Sequence, residues 1–195
     1  MLVGAVITGY QILSRPQPVA TVQTAEDARL NAQSFDQKIE QLQAPRAEGS
    51  APAEAHFTSD EVSAEVAQSM GAVPAAAVTN TNSTPPPSPN TVVSSGNVQI
   101  KGYQVKLEGD VARGQFVANM AGKDVYVTLA GHLGSLDGYV TFDPTEFKVG
   151  DLNVPVSLVN DQLQKKMDEQ KDRLKLPDFI ADLRVENGQL VIKEK

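Results

Sequence analysis

Histidine and cysteine, which often act in catalysis and metal binding, are scarce in this sequence. The chain has two histidines, His56 and His132, and no cysteine. Without cysteine there is no thiol catalysis, no disulfide and no cysteine-zinc site. The histidines do not have the spacing of a metal-ligand pair, and no H-E-x-x-H, EF-hand, P-loop or G-x-S-x-G pattern is present. We therefore expect no metal and no cofactor.

The carboxylates are numerous but give no catalytic pattern. Asp137 and Asp143 flank a predicted strand and could approach a cation, although turn chemistry explains acidic residues at both positions. We expect none of the 24 acidic residues to stand in an apolar context that would raise its pKa. We expect that the chain is not an enzyme, and a two-carboxylate hydrolase remains the alternative.

The length of the chain limits the number of domains, and its net charge argues against one class of function. The 195 residues allow one domain of ordinary size plus tails. A net charge of −7, with no basic stripe to neutralise phosphates, argues against nucleic-acid binding. Much of the 41% hydrophobic content is alanine without periodicity, so the ordered core is expected from about half of the chain.

The first segment, 1–14, is expected to touch a membrane. Met1–Leu13 is uncharged and mostly apolar, but about 20 residues are needed to span a bilayer. It also lacks the basic region and cleavage site of a signal peptide. We interpret it as the outer part of a truncated membrane anchor, with its start codon assigned too late, which places the rest of the chain outside the cytoplasm. The alternative is a buried strand or helix of the globular domain.

The next segment, 15–55, is predicted to be a spacer that contains one helix. Thr24 and Asp27 resemble a capping pair at the start of a helix over Thr24–Gln43. The pattern favours a marginal, solvated helix over a self-associating stalk. Ala44–Ala55 is rich in Ala, Pro, Gly and Glu and is predicted to be flexible.

The remaining segment, 56–195, is predicted to fold, and it begins with a short helix over Phe57–Met70. Thr58 and Glu61 form a capping box, and valines and a methionine recur every four residues on one face. The low-complexity segment 72–96 is predicted to be a disordered surface loop, with a proline-recognition ligand as the alternative.

Alternating apolar residues predict an antiparallel meander from Asn97 onwards. A change of phase at Lys101-Gly102 predicts a bulge, and Val111–Met120 predicts one strand. Gly131, Gly134 and Ser135 are expected to interrupt the following strand. Further turns or breaks are predicted at Glu108–Asp110, Ala121–Asp124, Leu136–Gly138, Asp143-Pro144 and Gly150-Asp151.

A long amphipathic helix and a hairpin follow the meander. Pro155 suits a first helical turn. An apolar stripe predicts a helix that ends at Leu176–Phe179, and its members are Val156, Val159, Leu163, Met167 and Leu174. Asn187-Gly188 predicts a type I′ turn within the hairpin Ile180–Lys193. The predicted fold class is α+β: a curved antiparallel sheet, made of the meander and this hairpin, packed on one long and one shorter helix, after a disordered N-terminal region.

The order of these parts resembles small bacterial membrane-anchored proteins of the YpmS-like kind, which are similar to the tubular lipid-binding (TULIP) superfamily. The resemblance covers roughly Phe57 to Ile192. It depends on four short pieces, Thr58–Val62, Leu136–Phe142, Val149–Pro155 and Asn187–Ile192. Ser63 departs from the pattern, because such proteins often have asparagine at that position.

The resemblance implies a long helix wrapped by a strongly curved sheet, with an apolar groove between them that holds an acyl chain. From flexible apolar residues we predict the groove lining, although filling of a closed core is the alternative for each member. The predicted lining residues are Val62, Val66, Met70, Phe116, Met120, Val159, Leu163 and Met167. The expected function is a membrane-anchored, extracytoplasmic, non-catalytic domain that binds a lipid or another hydrophobic ligand. The alternative is a structural or protein-interaction module of the cell envelope with a packed core and no ligand.

Overall fold

A computed structural model describes residues 16, 18–20, 23–44, 51–69, 98–120 and 123–195, without the side chains of 98–102 and 118–120. The fold of these residues is α+β. In chain order the elements are α1 (Ala25–Gln43), β1 (Glu54–Phe57), α2 (Ser59–Ser69), β2 (Val98–Glu108), β3 (Val111–Met120), β4 (Lys123–Leu136), β5 (Tyr139–Val149), β6 (Leu152–Val154), α3 (Val156–Glu169), a 3₁₀ turn (Lys171–Arg173), β7 (Ile180–Glu186) and β8 (Gln189–Glu194).

The meander forms a five-stranded antiparallel sheet in the order β2-β3-β4-β5-β6. The predicted bulge is confirmed, because the β2–β3 register shifts between Ile100 and Gly102. The predicted turn after Glu108 is also confirmed, and Gly109 there has φ +60°. Strand β3 has the predicted bounds.

Two predicted breaks in the meander are wrong. Strand β4 runs through Gly131, Gly134 and Ser135 without interruption, and β5 runs through Asp143-Pro144. A register shift after Ala130 accommodates the proline opposite Gly131. A Cβ at Gly131 would lie 2.7 Å from Phe142 Cζ and also too close to the backbone of β5. The glycine therefore permits close strand contact instead of ending the strand. Lys123 and Asp124, predicted to be in a turn, belong to β4.

The second sheet has three antiparallel strands in the order β1-β8-β7. The predicted C-terminal hairpin is confirmed, with φ +52° at Asn187 and +75° at Gly188, as a type I′ turn requires. Strand β1 was not predicted, since Glu54 and Ala55 were assigned to a flexible spacer. The meander and the hairpin thus lie in separate sheets.

The core lies between the two sheets and the first two helices. Its buried members are Leu42, Phe57, Tyr103, Val105, Leu107, Leu176, Ile180, Leu183, Val185, Leu190 and Ile192. We call this set the main core. The interpretation of α1 as a solvated helix is wrong, because Leu42 on α1 is only 2% exposed and belongs to this core. The Phe35 ring on α1 lies 4.5 Å from the Phe57 ring.

Helix α2 begins with the predicted capping box and covers one edge of the meander. The Thr58 amide donates to Glu61 Oε2 (2.8 Å), and the Glu61 amide donates to Thr58 Oγ1 (3.3 Å). Ser63 Oγ accepts from the Val105 amide and donates to the Val105 carbonyl, both at 2.9 Å. Ser59 Oγ accepts from the Leu107 amide (2.9 Å). These hydroxyls satisfy backbone groups that an edge strand leaves unpaired.

A charged contact joins α1 to α2. Glu61, only 5% exposed, accepts two hydrogen bonds from Lys38 Nζ (2.7 Å each) and one from Ser34. Burial alone would raise the pKa of Glu61, but the bonds from Lys38, Ser34 and Thr58 outweigh it and lower that pKa. One turn further, burial and the nearby Asp36 raise the pKa of Glu65, so the expectation that no acidic residue stands where its pKa is raised is wrong for Glu65.

Several predictions lie outside the described residues. They are the membrane segment Met1–Leu13 and the disordered loop 72–96. The predicted helix end at Met70 also falls there, while α2 is described up to Ser69.

Candidate functional site

Helix α3 lies on the surface of the meander and has no buried residue. It starts directly after Pro155, as predicted, but it ends at Glu169, and a 3₁₀ turn continues the chain. Val159, Leu163 and Met167 from its predicted apolar stripe are half-buried, and Leu158 is 69% exposed. The helix packs mainly on β5.

The helix is held at both ends and at one point between them. Its start follows β6, which pairs with β5. In the middle, Gln164 Nε2 donates to the Phe142 carbonyl (3.2 Å). After the 3₁₀ turn, the Val140 amide donates to the Leu174 carbonyl, and the Leu176 amide donates to the Gly138 carbonyl, both at 2.8 Å. Hydrogen bonds therefore hold α3 and the turn after it along β5, although no residue of α3 is buried.

A cleft of about 590 Å³ lies between α3 with its following turn and the hairpin of β4 and β5. We call it the α3 cleft. Its lining residues are His132, Leu133, Gly134, Leu136, Asp137, Tyr139, Val140, Thr141, Phe142, Asp143, Gln164, Met167, Asp168, Lys171 and Leu174. One wall is continuous with the main core, since Leu133 and Val140 also pack against it.

The cleft has both an apolar and a charged part. Leu133, Val140, Phe142, Met167 and Leu174 supply hydrocarbon and ring surface. The exposed part carries three carboxylates (Asp137, Asp143 and Asp168) and the ammonium of Lys171. This arrangement suits an amphiphile, because a tail and a polar head find different surroundings.

Of the residues that could take part in acid–base or metal chemistry, His132, Asp137 and Asp143 line the α3 cleft, whereas His56 lies elsewhere. His132 lines the α3 cleft, and its Nδ1 lies 3.3 Å from Asp110 Oδ2. His56 lies in β1, where its carbonyl accepts from Lys38 Nζ. Asp137 occupies a turn at φ +53°, as turn chemistry predicts, but Asp143 lies within β5, so the turn explanation is wrong for it. Within the described ranges, no group of three or more His, Asp or Glu is placed to hold a metal ion.

The structure divides the predicted groove residues into two sets. Val62, Val66 and Phe116 pack against the main core, where the Phe116 ring lies 5.4 Å from that of Tyr103. Val159, Leu163 and Met167 lie on α3, and of these Met167 lines the α3 cleft. Met70 is outside the described residues, and of Met120 only the backbone at the end of β3 is described.

Sequence reasoning missed most of the cleft lining. Leu174 was in the predicted stripe of the long helix, and Phe142 was in a predicted strand, but neither was assigned to the groove. Alternation along β5 could have indicated Val140 and Phe142 as one apolar face. No local signal shows that this face meets α3 rather than α2.

Among the described residues, the α3 cleft is a space that could receive a ligand. None of the helices in the described ranges is both long and apolar enough to cross a bilayer. No family model matches the chain, no curated protein is significantly similar to it, and no solved structure matches it.

Proposed function

We propose that this domain binds the hydrocarbon chain of a lipid or similar hydrophobic molecule in the α3 cleft, without catalysing a reaction. The observation that carries the proposal is the position of α3. A helix of 14 residues lies along β5 with no buried residue, and beside it a space of about 590 Å³ has an apolar wall.

The size of the cleft supports this proposal. Small-molecule sites commonly have volumes of roughly 300–1,000 Å³. At about 25 cal/mol per Å², burying an acyl chain with several hundred Å² of surface contributes several kcal/mol. Met167 suits such a wall, because its unbranched side chain adapts to a flexible ligand.

The proposal also includes the cellular setting. The uncharged segment 1–14, which lies outside the described residues, would hold the domain at the outer side of the cytoplasmic membrane. The resemblance to YpmS-like and TULIP proteins supports a hydrophobic ligand, since it implies an acyl chain held between a helix and a sheet.

An uncharged fluorescent monoacylglycerol tests the binding step directly. The delipidated chain is titrated with this probe, together with Met167→Trp and Leu158→Trp. Indole at position 167 fills part of the cleft, so we expect at least a roughly tenfold loss of affinity, equivalent to about 1.4 kcal/mol. Leu158 is 69% exposed on the same helix and does not line the cleft, so its variant controls for a general effect of tryptophan.

A failure of the unsubstituted chain to take up the probe, with no lipid in native mass spectra of the purified protein, would overturn the proposal. If both tryptophan variants bind the probe with equal affinity, the binding site is not the α3 cleft. One observation favours the alternative of a structural module: Val62, Val66 and Phe116 pack against the main core and do not line the α3 cleft. In that case partners crosslinked at the membrane would be proteins, and no ligand would be found.

A further inference from the structure

The charged part of the α3 cleft is unbalanced. Asp137, Asp143 and Asp168 line it, while Lys171 is the one lysine or arginine among its lining residues in the described part of the chain. None of the three aspartates forms an ion pair with another described residue. A polar head placed among them therefore meets more negative than positive charge.

The single ammonium is already engaged with an aromatic ring. Lys171 Nζ lies 4.6 Å from the centroid of the Tyr139 ring, within the range of a cation–π contact. Tyr139 is half-buried and also lines the cleft. The ring thus offers an ammonium-binding face within the site, and the lysine of the 3₁₀ turn that follows α3 lies on this face.

We propose that the α3 cleft selects an amphiphile with a cationic head, such as a quaternary ammonium, and disfavours a fatty-acid anion. The head takes the place of the Lys171 ammonium on Tyr139 and lies near the unpaired carboxylates, while the tail lies against Phe142 and Met167. This inference rests on the function proposed above, because the tail must enter the same cleft.

The opposite assignment, with Lys171 binding a carboxylate or phosphate head, is less favourable. An anion at Lys171 would have to enter the space that the three aspartates also line, and like charges repel. It would also compete with the aromatic ring for the lysine. The two assignments make opposite predictions for the removal of Lys171.

Three probes of matched chain length separate head from tail: dodecyltrimethylammonium, laurate and uncharged monolaurin. Each is titrated by calorimetry into the delipidated full chain below its critical micelle concentration. We expect dodecyltrimethylammonium to bind roughly tenfold more tightly than laurate at low salt, with a smaller ratio at high salt because exposed charges are screened.

Lys171→Met vacates the Tyr139 ring and removes the competing charge, so it should increase affinity for the cationic probe severalfold. Lys165→Met removes the same charge from an exposed position on α3 outside the cleft and should change affinity little. Asp168→Asn should weaken binding of the cationic probe and leave monolaurin unaffected.

Each outcome assigns the failure to one proposal. If none of the three probes binds, the proposed function itself fails. If monolaurin binds but laurate binds as tightly as the cationic probe, or Lys171→Met weakens laurate and not the cation, then only the cationic head is wrong.

Discussion

The two sides of the meander differ in how a helix meets a strand. Helix α2 has 11 residues and buries four of them between α1 and β2, whereas α3 has 14 residues and buries none. The buried residues of α2 are small or polar, including Ala64, Ala67 and Ser63. Because these side chains are small, the backbone of α2 lies close enough to β2 for the hydroxyls of Ser59 and Ser63 to form hydrogen bonds with that strand. The larger side chains of α3 keep its backbone farther from β5 and leave space between them. A broad apolar stripe therefore does not by itself produce deep burial.

The largest expected effect that tests this comparison comes from truncating one residue of the main core, against which α2 packs, and one residue of α3. Phe57→Ala removes a side chain with 0% exposure that packs on Phe35, so we expect it to lower the free energy of unfolding by about 3–5 kcal/mol. Leu158→Ala on α3 should change it by less than about 0.5 kcal/mol. Urea denaturation measures both, and similar losses would contradict the difference between the two sides.

Removing a hydroxyl at the α2–β2 contact should have the next largest effect. Ser63→Ala leaves the amide and carbonyl of Val105 buried without their partner, which costs about 1–3 kcal/mol. Ser69→Ala is the control, because its Oγ bonds an exposed carbonyl of its own helix. If Ser63→Ala leaves the urea midpoint of unfolding unchanged, the bonds between Ser63 and β2 do not stabilise this edge of the sheet.

Acid should lower the stability of the contact between α1 and α2, because Glu61 accepts hydrogen bonds there as a carboxylate. Its pKa is lower in the folded state than its ordinary value of 4.5, so its contribution is present above that pH and is lost as the pH falls through the folded pKa. Lys38→Met removes the main bonds that lower this pKa and should remove about 1 kcal/mol of the acid dependence. Lys166→Met, which breaks an exposed pair with Glu169, should leave the profile unchanged.

A smaller effect of opposite sign is expected at Glu65. Burial and Asp36 raise its pKa, and Glu65 Oε2 is a buried oxygen that has no hydrogen-bond partner among the described residues. The folded state therefore disfavours the charged form, and this penalty is relieved as the pH falls towards the ordinary value of 4.5. Glu65→Gln should stabilise the protein by less than about 1 kcal/mol at neutral pH and not at all in acid. Destabilisation at neutral pH would contradict this assignment.

Local chemistry explains which parts of the fold could be predicted. The turn at Asn187-Gly188, the caps at Thr24 and Thr58, and the bulge at Gly102 each depend on a few neighbouring residues. Such features need no knowledge of the rest of the chain.

The missed features depend on distant partners. Strand β1 has only four residues, and it exists because β8 pairs with it. The burial of Leu42 on α1 depends on the main core. The α3 cleft depends on the spacing between α3 and β5, which side-chain size and the anchoring bonds at Leu174 and Leu176 set together. Periodicity predicts which face of a helix is apolar but not how closely a sheet approaches it.

The pairing of β1 with β8 has a consequence for biosynthesis. Phe57, which is 0% exposed, lies in β1 opposite Leu190 of β8. Strand β1 can therefore pair only after β8, the last of the described strands, has been translated. Closing so long a loop has a high entropic cost before any contact rewards it. We therefore expect nascent chains that lack β8 to expose Phe57 and to depend on chaperones until translation has passed that strand.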